Sequence, residues 1–247
     1  MFYNASMDWF RSLSSLKPKD IAGKSCVLRV DFNVESAHKN KSLRLDSAII
    51  SLKFLLKNKI GRVAVLSHRG RPPDIPDQIT HPPVRLAKEV AREFSLRIFA
   101  SIVQRKIKHT VVYIPHCNFE LVKRQILQSQ NQIFLVENVR FLVGEELDDL
   151  DLGKSMAALG DFYVNDAFAD SHRRHASVHA IAKYLPNFAG FQLEKEIRCL
   201  NYALRESRHP MTLILGGAKV KDKAGVIKHW LNRADYILLG GGLANTF

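Results

Sequence analysis

The chain has 247 residues, of which 46% are hydrophobic and 25% charged, as is usual for a globular protein. Its formal net charge of +13 predicts an anionic partner. The three cysteines have no C-x-x-C spacing, which predicts free thiols rather than disulfides or a zinc site. The sequence contains no run of 18 apolar residues and no secretory signal, so we expect a cytoplasmic protein without a transmembrane helix.

Short apolar runs alternate along the chain with segments whose apolar residues recur at helical spacing. The predicted strands are Cys26–Phe32, Val63–Leu66, Val111–Ile114, Ile133–Val136, Phe162–Val164, Leu213–Leu215 and Tyr236–Leu239. The predicted helices are Leu45–Lys57, Leu86–Phe94, Glu120–Leu127, Phe191–Leu204 and Ala224–Leu231. Because the strands are apolar on both faces and alternate with helices, the pattern predicts an α/β fold with a doubly wound, Rossmann-like parallel sheet.

Two segments are predicted to be irregular. The segment from Arg69 to Val84 contains five prolines, which favours a loop. The acidic run from Glu145 to Asp149 is typical of a solvated turn followed by the start of a helix.

A second β–turn–α–β pattern begins at Met211 and reaches the glycines Gly240, Gly241 and Gly242 just before Phe247. Two strands and one helix are too few to bury a core of their own. We therefore expect the chain to be a fragment, with an N-terminal lobe over residues 1–190, an interdomain helix over 191–207 and a truncated second α/β lobe over 208–247.

Five basic residues lie just beyond predicted strands. They are His68, Arg71, Arg140, His172 and Arg173. In a parallel α/β sheet, ligands bind outside the carboxyl ends of the strands, and Arg side chains match phosphate and carboxylate geometry. The pattern predicts a small, highly anionic ligand.

Three further polar residues lie close to this edge in the sequence. Asp31 and Asn33 share one face of a strand end, which is also typical of a plain polar strand exit. Arg44 lies at a helix start, where a cation is slightly unfavourable, so it indicates a nearby anion unless it is a surface arginine. His172 and His175 lack a third ligand at suitable spacing, and we expect no metal site.

The segment from Gly216 to Lys223 follows a predicted strand and opens a helix. Glycines allow close approach of a phosphate, a helix N-terminus favours negative charge, and Lys219 and Lys223 would add positive charge. A glycine turn with two solvated lysines is an equally good interpretation of this segment.

Taken in order, these segments resemble the motifs of the phosphoglycerate kinase family. They read RVDFN, SHRGRP, ENVRF, VNDAF, SHRRHAS, AGFQLEKE, LGGAKVKDK and GGGLANTF. The resemblance runs from about Ser15 to the last residue. It implies a two-lobed, cytoplasmic, monomeric kinase that moves a phosphoryl group reversibly between 1,3-bisphosphoglycerate and ADP, giving 3-phosphoglycerate and ATP, with Mg²⁺ accompanying the nucleotide.

The resemblance also implies roles for individual residues. The substrate-binding residues would be Asp31, Asn33, Arg44, His68, Arg71, Arg140, His172 and Arg173. The nucleotide-binding residues would be Lys219, Lys223, Gly240 and Gly241, and the catalytic residues would be Arg44 and Lys219. A site rich in Arg and Lys suits this reaction, because the acceptor carboxylate is already ionised and needs no general base.

The chain departs from the family pattern at several positions. Glu35 stands where the family usually has proline, Ala180 where it usually has glycine, and Ala169-Asp170 where it usually has Gly-Thr or a similar pair. We expect Asp170 to weaken anion binding, because it brings a negative charge close to Arg173. The family's adenine pocket, magnesium-binding aspartate and glycine-rich phosphate loop are not matched, so we expect no phosphoryl transfer by this chain alone.

Two other classes of protein fit part of the sequence. A polyanion- or RNA-binding α/β module would explain the charge, but the sequence has no basic run interleaved with aromatic residues and no RRM or KH signature. A dehydrogenase is disfavoured because Asp31-Phe32-Asn33, rather than a glycine-rich turn, follows the first strand.

Overall fold

The structure is a computed structural model that describes residues 10–34, 42–72, 92–205, 208–217 and 221–246. The chain divides into two compact units, Met1–Glu196 and Ile197–Phe247. The lobe boundaries expected at residues 190 and 208 stay a prediction.

The first unit is built around a six-stranded parallel sheet. Its strands are β1 (Ser25–Arg29), β2 (Arg62–Leu66), β3 (Val111–Ile114), β4 (Ile133–Val136), β5 (Phe162–Asn165) and β6 (Asn187–Ala189). Their order across the sheet is β3-β4-β2-β1-β5-β6, and every pairing is parallel. This order confirms the predicted parallel α/β sheet and places β1 near its middle, with β2 on one side and β5 on the other.

Helices pack against both faces of this sheet. In chain order, the helices up to residue 205 are α1 (Pro18–Ile21), α2 (Leu43–Lys57), α3 (Arg97–Ile107), α4 (Phe119–Gln128), α5 (Val143–Glu146), α6 (Leu150–Ala157) and α7 (Phe191–Arg205). Successive strand residues point to opposite faces, so Leu28 packs in the core with α2 and α3, whereas Val27 packs in the core with α4 and α6. Burial on both faces explains why these strands are apolar throughout.

Side-chain caps set the starts of two of these helices. The Asn118 carboxamide oxygen accepts the Leu121 amide at 3.2 Å at the start of α4, and the Asp149 carboxylate accepts the Leu152 amide at 2.7 Å at the start of α6. Each cap satisfies one of the amides that a helix leaves free in its first turn.

The second unit contains a two-stranded parallel sheet, β7 (Thr212–Gly216) and β8 (Tyr236–Gly240), and helix α8 (Lys221–Trp230). The strands lie within one residue of their predicted bounds. Their residues alternate between exposed and half-buried, and one face shows the apolar side chains of Ile214, Tyr236 and Leu238. Among the described residues of this unit, one face of the sheet is half-buried and the other is exposed.

The structure differs from the prediction in several places. Strand β6 and helices α1 and α3 were not predicted. Of the helix predicted at Leu86–Phe94, residues 92–94 are helical and the rest lies outside the described residues, as does most of the predicted loop after Pro72. The acidic run forms the predicted turn and helix start, with Glu146 and Asp149 exposed, but the prediction was wrong for Glu145, which is fully buried. Among the described helices, none is both long and apolar enough to cross a membrane.

Candidate anion-binding site

Polar side chains meet where β1 and β2 end. The Arg44 guanidinium, in the first turn of α2, lies 3.0 Å from the Asp31 carboxylate and donates to the Asn33 carbonyl at 3.2 Å. The Asn33 side chain accepts the Gly70 amide at 2.8 Å, which ties the chain after β1 to the loop after β2. Burial raises the pKa of Asp31, although Arg44 and the Asn33 amide favour its ionised form.

Arg140 reaches the same loop from the turn that follows β4. Its Nη1 donates to the Gly70 carbonyl at 2.8 Å, and its Nε lies 3.3 Å from a carboxylate oxygen of Glu146. The side chain is only 4% exposed, and although Glu146 is the ion-pair partner of Nε, Nη2 has no partner among the described residues. A buried guanidinium nitrogen without a partner is costly, so this arrangement fits a site that an anion completes.

His68 lies beneath these groups at the end of β2 and is almost fully buried. Its Nδ1 is 2.9 Å from Arg29 Nη2 and 3.2 Å from a carboxylate oxygen of Asp170. Burial, together with the charges of Arg29, Arg140 and Arg173, lowers the pKa of His68 and so favours its neutral form.

A chain of hydrogen bonds fixes Arg29 from behind. Arg29 Nε donates to the Ser177 hydroxyl at 2.9 Å, and that hydroxyl donates to Glu145 at 2.6 Å. The Ser177 amide donates to the second Glu145 oxygen at 2.8 Å, and Tyr163 donates to the Ser177 carbonyl at 2.8 Å. The guanidinium therefore has a fixed orientation at the end of β1.

Six of the predicted residues form one cluster, in which each contacts another member or a shared neighbour or lies close enough to affect the charge of His68. They are Asp31, Asn33, Arg44, His68, Arg140 and Arg173. Arg173 is the more open member, with its Nε 3.9 Å from Asp170 and its side chain 30% exposed. The structure places Arg71, directly after Gly70, and His172, directly before Arg173, with exposed side chains. Their proximity to a ligand stays a prediction.

Asp31, His68 and Asp170 place three possible metal-ligating atoms within 4.8 Å of one another. Arg44 lies against Asp31, and Arg29 lies against both His68 and Asp170. Guanidinium groups therefore already balance both carboxylates, and the group behaves as a buried ion-pair network.

A second buried carboxylate, Asp166, lies at the end of β5 and holds the start of α7. It accepts the Ser51 hydroxyl at 2.6 Å and the amides of Gln192 and Leu193 at 2.8 and 3.2 Å. A Cβ atom on Gly190 would lie 2.3 Å from the Asp166 side chain, so a glycine is required there. Burial raises the pKa of Asp166 to about 6.

An open cavity of about 540 Å³ lies between Asp166 and Arg44. Asp31 lines it from β1, and Gln192 and Lys195 line it from α7. Asp31 and Arg44 are the residues of the cluster that line this cavity, and its lining also includes the carboxylates of Asp46 and Glu196.

The second unit has its own glycine-rich edge at the carboxyl ends of β7 and β8. Gly216 pairs with Gly240 in register, and Gly217 and Gly241 both have positive φ, at 133° and 63°. A Cβ on Gly217 would lie 4.0 Å from the Lys223 side chain, which therefore approaches this turn. Lys219 lies outside the described residues.

The fold and the cluster define a parallel α/β protein with buried and half-buried arginine side chains at the carboxyl edge of its sheet. The family model for phosphoglycerate kinase matches residues 16–247, so the chain belongs to the phosphoglycerate kinase family.

Known proteins agree with this membership. The phosphoglycerate kinase of Pseudothermotoga lettingae is 38% identical over 94% of this chain and 56% of its own length, and that of Helicobacter pylori is 34% identical over 98% of this chain and 58% of its own length. Among solved structures, the phosphoglycerate kinase from Coxiella burnetii has a TM-score of 0.75 at 30% identity. The one from Pyrococcus horikoshii has a TM-score of 0.76 at 26% identity.

These two structures cover 96% and 95% of the present chain, which covers 56% of each of them. The chain therefore spans a little over half the length of the relatives that it matches.

Sequence reasoning missed the residues behind the site. Arg29 had no predicted role beyond its place in RVDFN, and Glu145 was placed in solvent, whereas both are fully buried. A carboxylate beside a glycine and a second acid gives no sequence signal of burial. Its partner Ser177 is 32 residues away in the chain, and only the fold brings the two together.

Proposed function

We propose that the first unit binds 3-phosphoglycerate, the substrate that the family resemblance implies. One observation carries this proposal: the Arg140 guanidinium is buried, and its Nη2 has no partner among the described residues. Arg173 and His68 are its electrostatic neighbours. A phosphate would accept the free Arg140 donors and could form charge-assisted hydrogen bonds.

The remaining roles rest on where the side chains lie. Asp31 and Asn33 would contact the glycerate portion, with Arg71 and His172 joining Arg140 and Arg173 around the phosphate. The side chain of Arg44 is 49% exposed beside Asp31, so its charge is available to the transferring phosphoryl group.

We propose that the glycine edge of the second unit, with Lys219 and Lys223, binds the phosphates of ATP or ADP. The positive φ angles of Gly217 and Gly241 suit a backbone that approaches a phosphate. Residues 212–217 and 236–246 contain no Asp or Glu, so they offer no carboxylate for Mg²⁺. The proposal for this unit is therefore limited to the nucleotide phosphates.

The reaction that we propose for the family member is reversible phosphoryl transfer between 1,3-bisphosphoglycerate and ADP, in a cytoplasmic monomer. The acceptor carboxylate of 3-phosphoglycerate is ionised at neutral pH, so the protein has to position charges rather than remove a proton. Arg44 and Lys219 are the proposed catalytic residues.

Calorimetric titration of 3-phosphoglycerate into the wild-type chain and into Arg140→Ala tests the binding site. Loss of charge-assisted hydrogen bonds should weaken binding by roughly 1.5–3 kcal/mol, about 10- to 150-fold. Arg105→Ala, which removes an exposed arginine from α3, is the matched control and should bind as wild type does. Equal affinity in all three proteins would remove Arg140 from the site.

The same titration with a single-stranded RNA oligonucleotide distinguishes the polyanion-binding alternative. RNA binding that exceeds 3-phosphoglycerate binding at physiological salt would favour that alternative.

A coupled assay tests transfer. We expect the 247-residue chain to bind 3-phosphoglycerate without turnover, and to gain turnover when mixed with the C-terminal half of a relative.

In the complemented protein, Arg44→Ala should lose about 10²- to 10³-fold in kcat with a smaller change in KM, because its charge acts mainly in the transition state. Turnover by the chain alone would contradict the first expectation, and full activity of Arg44→Ala would remove Arg44 from the catalytic residues.

A further inference from the structure

Asp170 is a buried negative charge inside a site that is otherwise built for anions. It is 3% exposed and ends the short 3₁₀ turn Phe168–Asp170 that comes after β5. One of its carboxylate oxygens lies 3.4 Å from Arg29 Nη2 and 3.2 Å from His68 Nδ1, and the other lies 3.9 Å from Arg173 Nε. The carboxylate therefore opposes the cations that would hold a ligand's phosphate.

The local backbone does not depend on this side chain. The Asp170 amide donates to the Ala167 carbonyl at 3.0 Å, and the Asp170 carbonyl accepts the Arg173 amide at 2.9 Å. These main-chain bonds shape the turn on their own. Removing the charge of Asp170 should consequently leave the turn in place.

Arg29 is likewise held by neutral partners. Its Nε donates to the Ser177 hydroxyl, its Nη1 to the Val30 carbonyl, and its Nη2 faces His68 Nδ1. Asp170 adds charge balance to a guanidinium whose position other contacts already set. With the carboxylate present, the Arg29 charge is largely neutralised within the site.

We propose that Asp170 sets the affinity of this site by weakening its hold on the phosphate group of the ligand. The inference rests on the proposed binding of 3-phosphoglycerate. Two like charges a few ångströms apart repel strongly at the effective dielectric constant of about 20 that suits protein sites. A phosphate dianion would meet this repulsion in full, whereas a ligand with a single carboxylate would meet less of it.

Because the repulsion acts on the bound state, it should appear mainly in the dissociation rate. Asp170 would thus favour release of the ligand. Removing its charge should tighten binding, whereas the loss of a residue that holds the ligand would weaken it.

The test compares wild type, Asp170→Asn and Asp170→Thr by calorimetry and stopped-flow, with 3-phosphoglycerate, inorganic phosphate and glycerate as ligands. Asp151→Asn is the control, since it makes the same change in net charge at an exposed position on α6. We expect both Asp170 variants to bind 3-phosphoglycerate roughly 3- to 30-fold more tightly, mainly because the ligand dissociates more slowly. Glycerate should gain less, and the control should behave as wild type does.

Unchanged or weaker phosphate binding in folded Asp170 variants overturns the proposal. Unfolding of both variants overturns it as well, because Asp170 would then serve the fold rather than the affinity. An equal gain for glycerate would overturn the dependence on the phosphate group. Titration with inorganic phosphate tests this proposal separately from the proposed function. If the wild-type protein binds phosphate but not 3-phosphoglycerate, the substrate assignment is wrong, and the effect of Asp170 can still be measured with phosphate.

Discussion

The two units of the chain use similar strands in different surroundings. Val27 and Leu28 in β1 are fully buried, because helices cover both faces of the six-stranded sheet. In β7 and β8, which are equally apolar, every second residue is exposed, and Ile214 is 75% exposed. The composition of a strand therefore determines how much apolar surface it could bury, whereas the helices packed around it determine how much it actually buries.

We expect the two units to differ likewise in stability and in the burial of their polar groups. The first unit can hold buried carboxylates such as Asp166 and Glu145 because the fold supplies donors for them. In the second unit, Asp235 is exposed, and hydrogen bonds from Met211 and His209 lower its pKa. Four measurements test the contrast, from the largest expected effect to the smallest.

The largest effect is expected from core truncation. Phe134→Ala removes a ring that is 1% exposed in β4 and should destabilise the first unit by about 3–5 kcal/mol. Ile214→Ala in β7 should cost less than about 1 kcal/mol, since little of that side chain leaves water on folding. Urea denaturation of both variants measures the two costs. Equal costs would mean that the exposed face of the second sheet is covered in solution.

The next effect is a pH dependence carried by Asp166. Its folded pKa of about 6 is above the ordinary Asp value, so its contribution to stability is present at low pH and is lost as the pH rises from about 4 through 6. Asp166→Asn should remove this loss, which amounts to about 3 kcal/mol. The measurement is the difference in unfolding free energy between the two proteins at pH 4 and pH 7, in which other titrating groups cancel.

Asp235 provides the comparison with the opposite sign. Its pKa is lowered in the folded state, so its contribution to stability is present above the ordinary Asp pKa and is lost as the pH falls.

For Asp166, one result would contradict the prediction. If the unfolding free energy of Asp166→Asn depends on pH as that of wild type does, the Asp166 carboxylate is better hydrated than its burial indicates.

Amide hydrogen exchange should separate the units by a smaller margin. We expect the amides of β1 and β4 to exchange at least about a hundredfold more slowly than those of β7 and β8, because central strands open only with their whole unit. Uniform protection over all four strands would show that the second unit has a cooperative core comparable to that of the first.

The smallest effect is expected from a helix cap. Asn118→Ala removes the cap of α4 and should cost about 1 kcal/mol. The loss should be confined to the first unit, so exchange in β7 and β8 should not change. Faster exchange in those strands would show that the two units unfold together.

The sequence predicted the strands well because buried parallel strands carry a strong local signal. Val111–Ile114 and Ile133–Val136 have the predicted bounds. Strand β6 was missed because three residues after Pro186 are too short to show a period. Helix α3 could have been found, since Phe99, Ile102, Val103 and Ile107 have helical spacing.

The sequence predicted which residues lie at the candidate site better than it predicted the hydrogen bonds and ion pairs between them. Strand ends indicated His68 and Arg140, because the parallel fold brings such positions to one edge. The environment of Asp170 was not predictable. Its partner Arg29 lies 141 residues away in the chain, so only the folded sheet shows that this carboxylate is buried against a guanidinium.

The order of the sheet also has a consequence for synthesis on the ribosome. The β1 residues Cys26–Arg29 pair with Phe162–Asn165 of β5, and the Ser25 amide donates to Asp161, 136 residues later. At a translation rate of about 5–20 residues per second, this partner emerges roughly 7–27 seconds after β1. Throughout that interval one edge of the future central strand has no native neighbour, although β2 can already pair with the other.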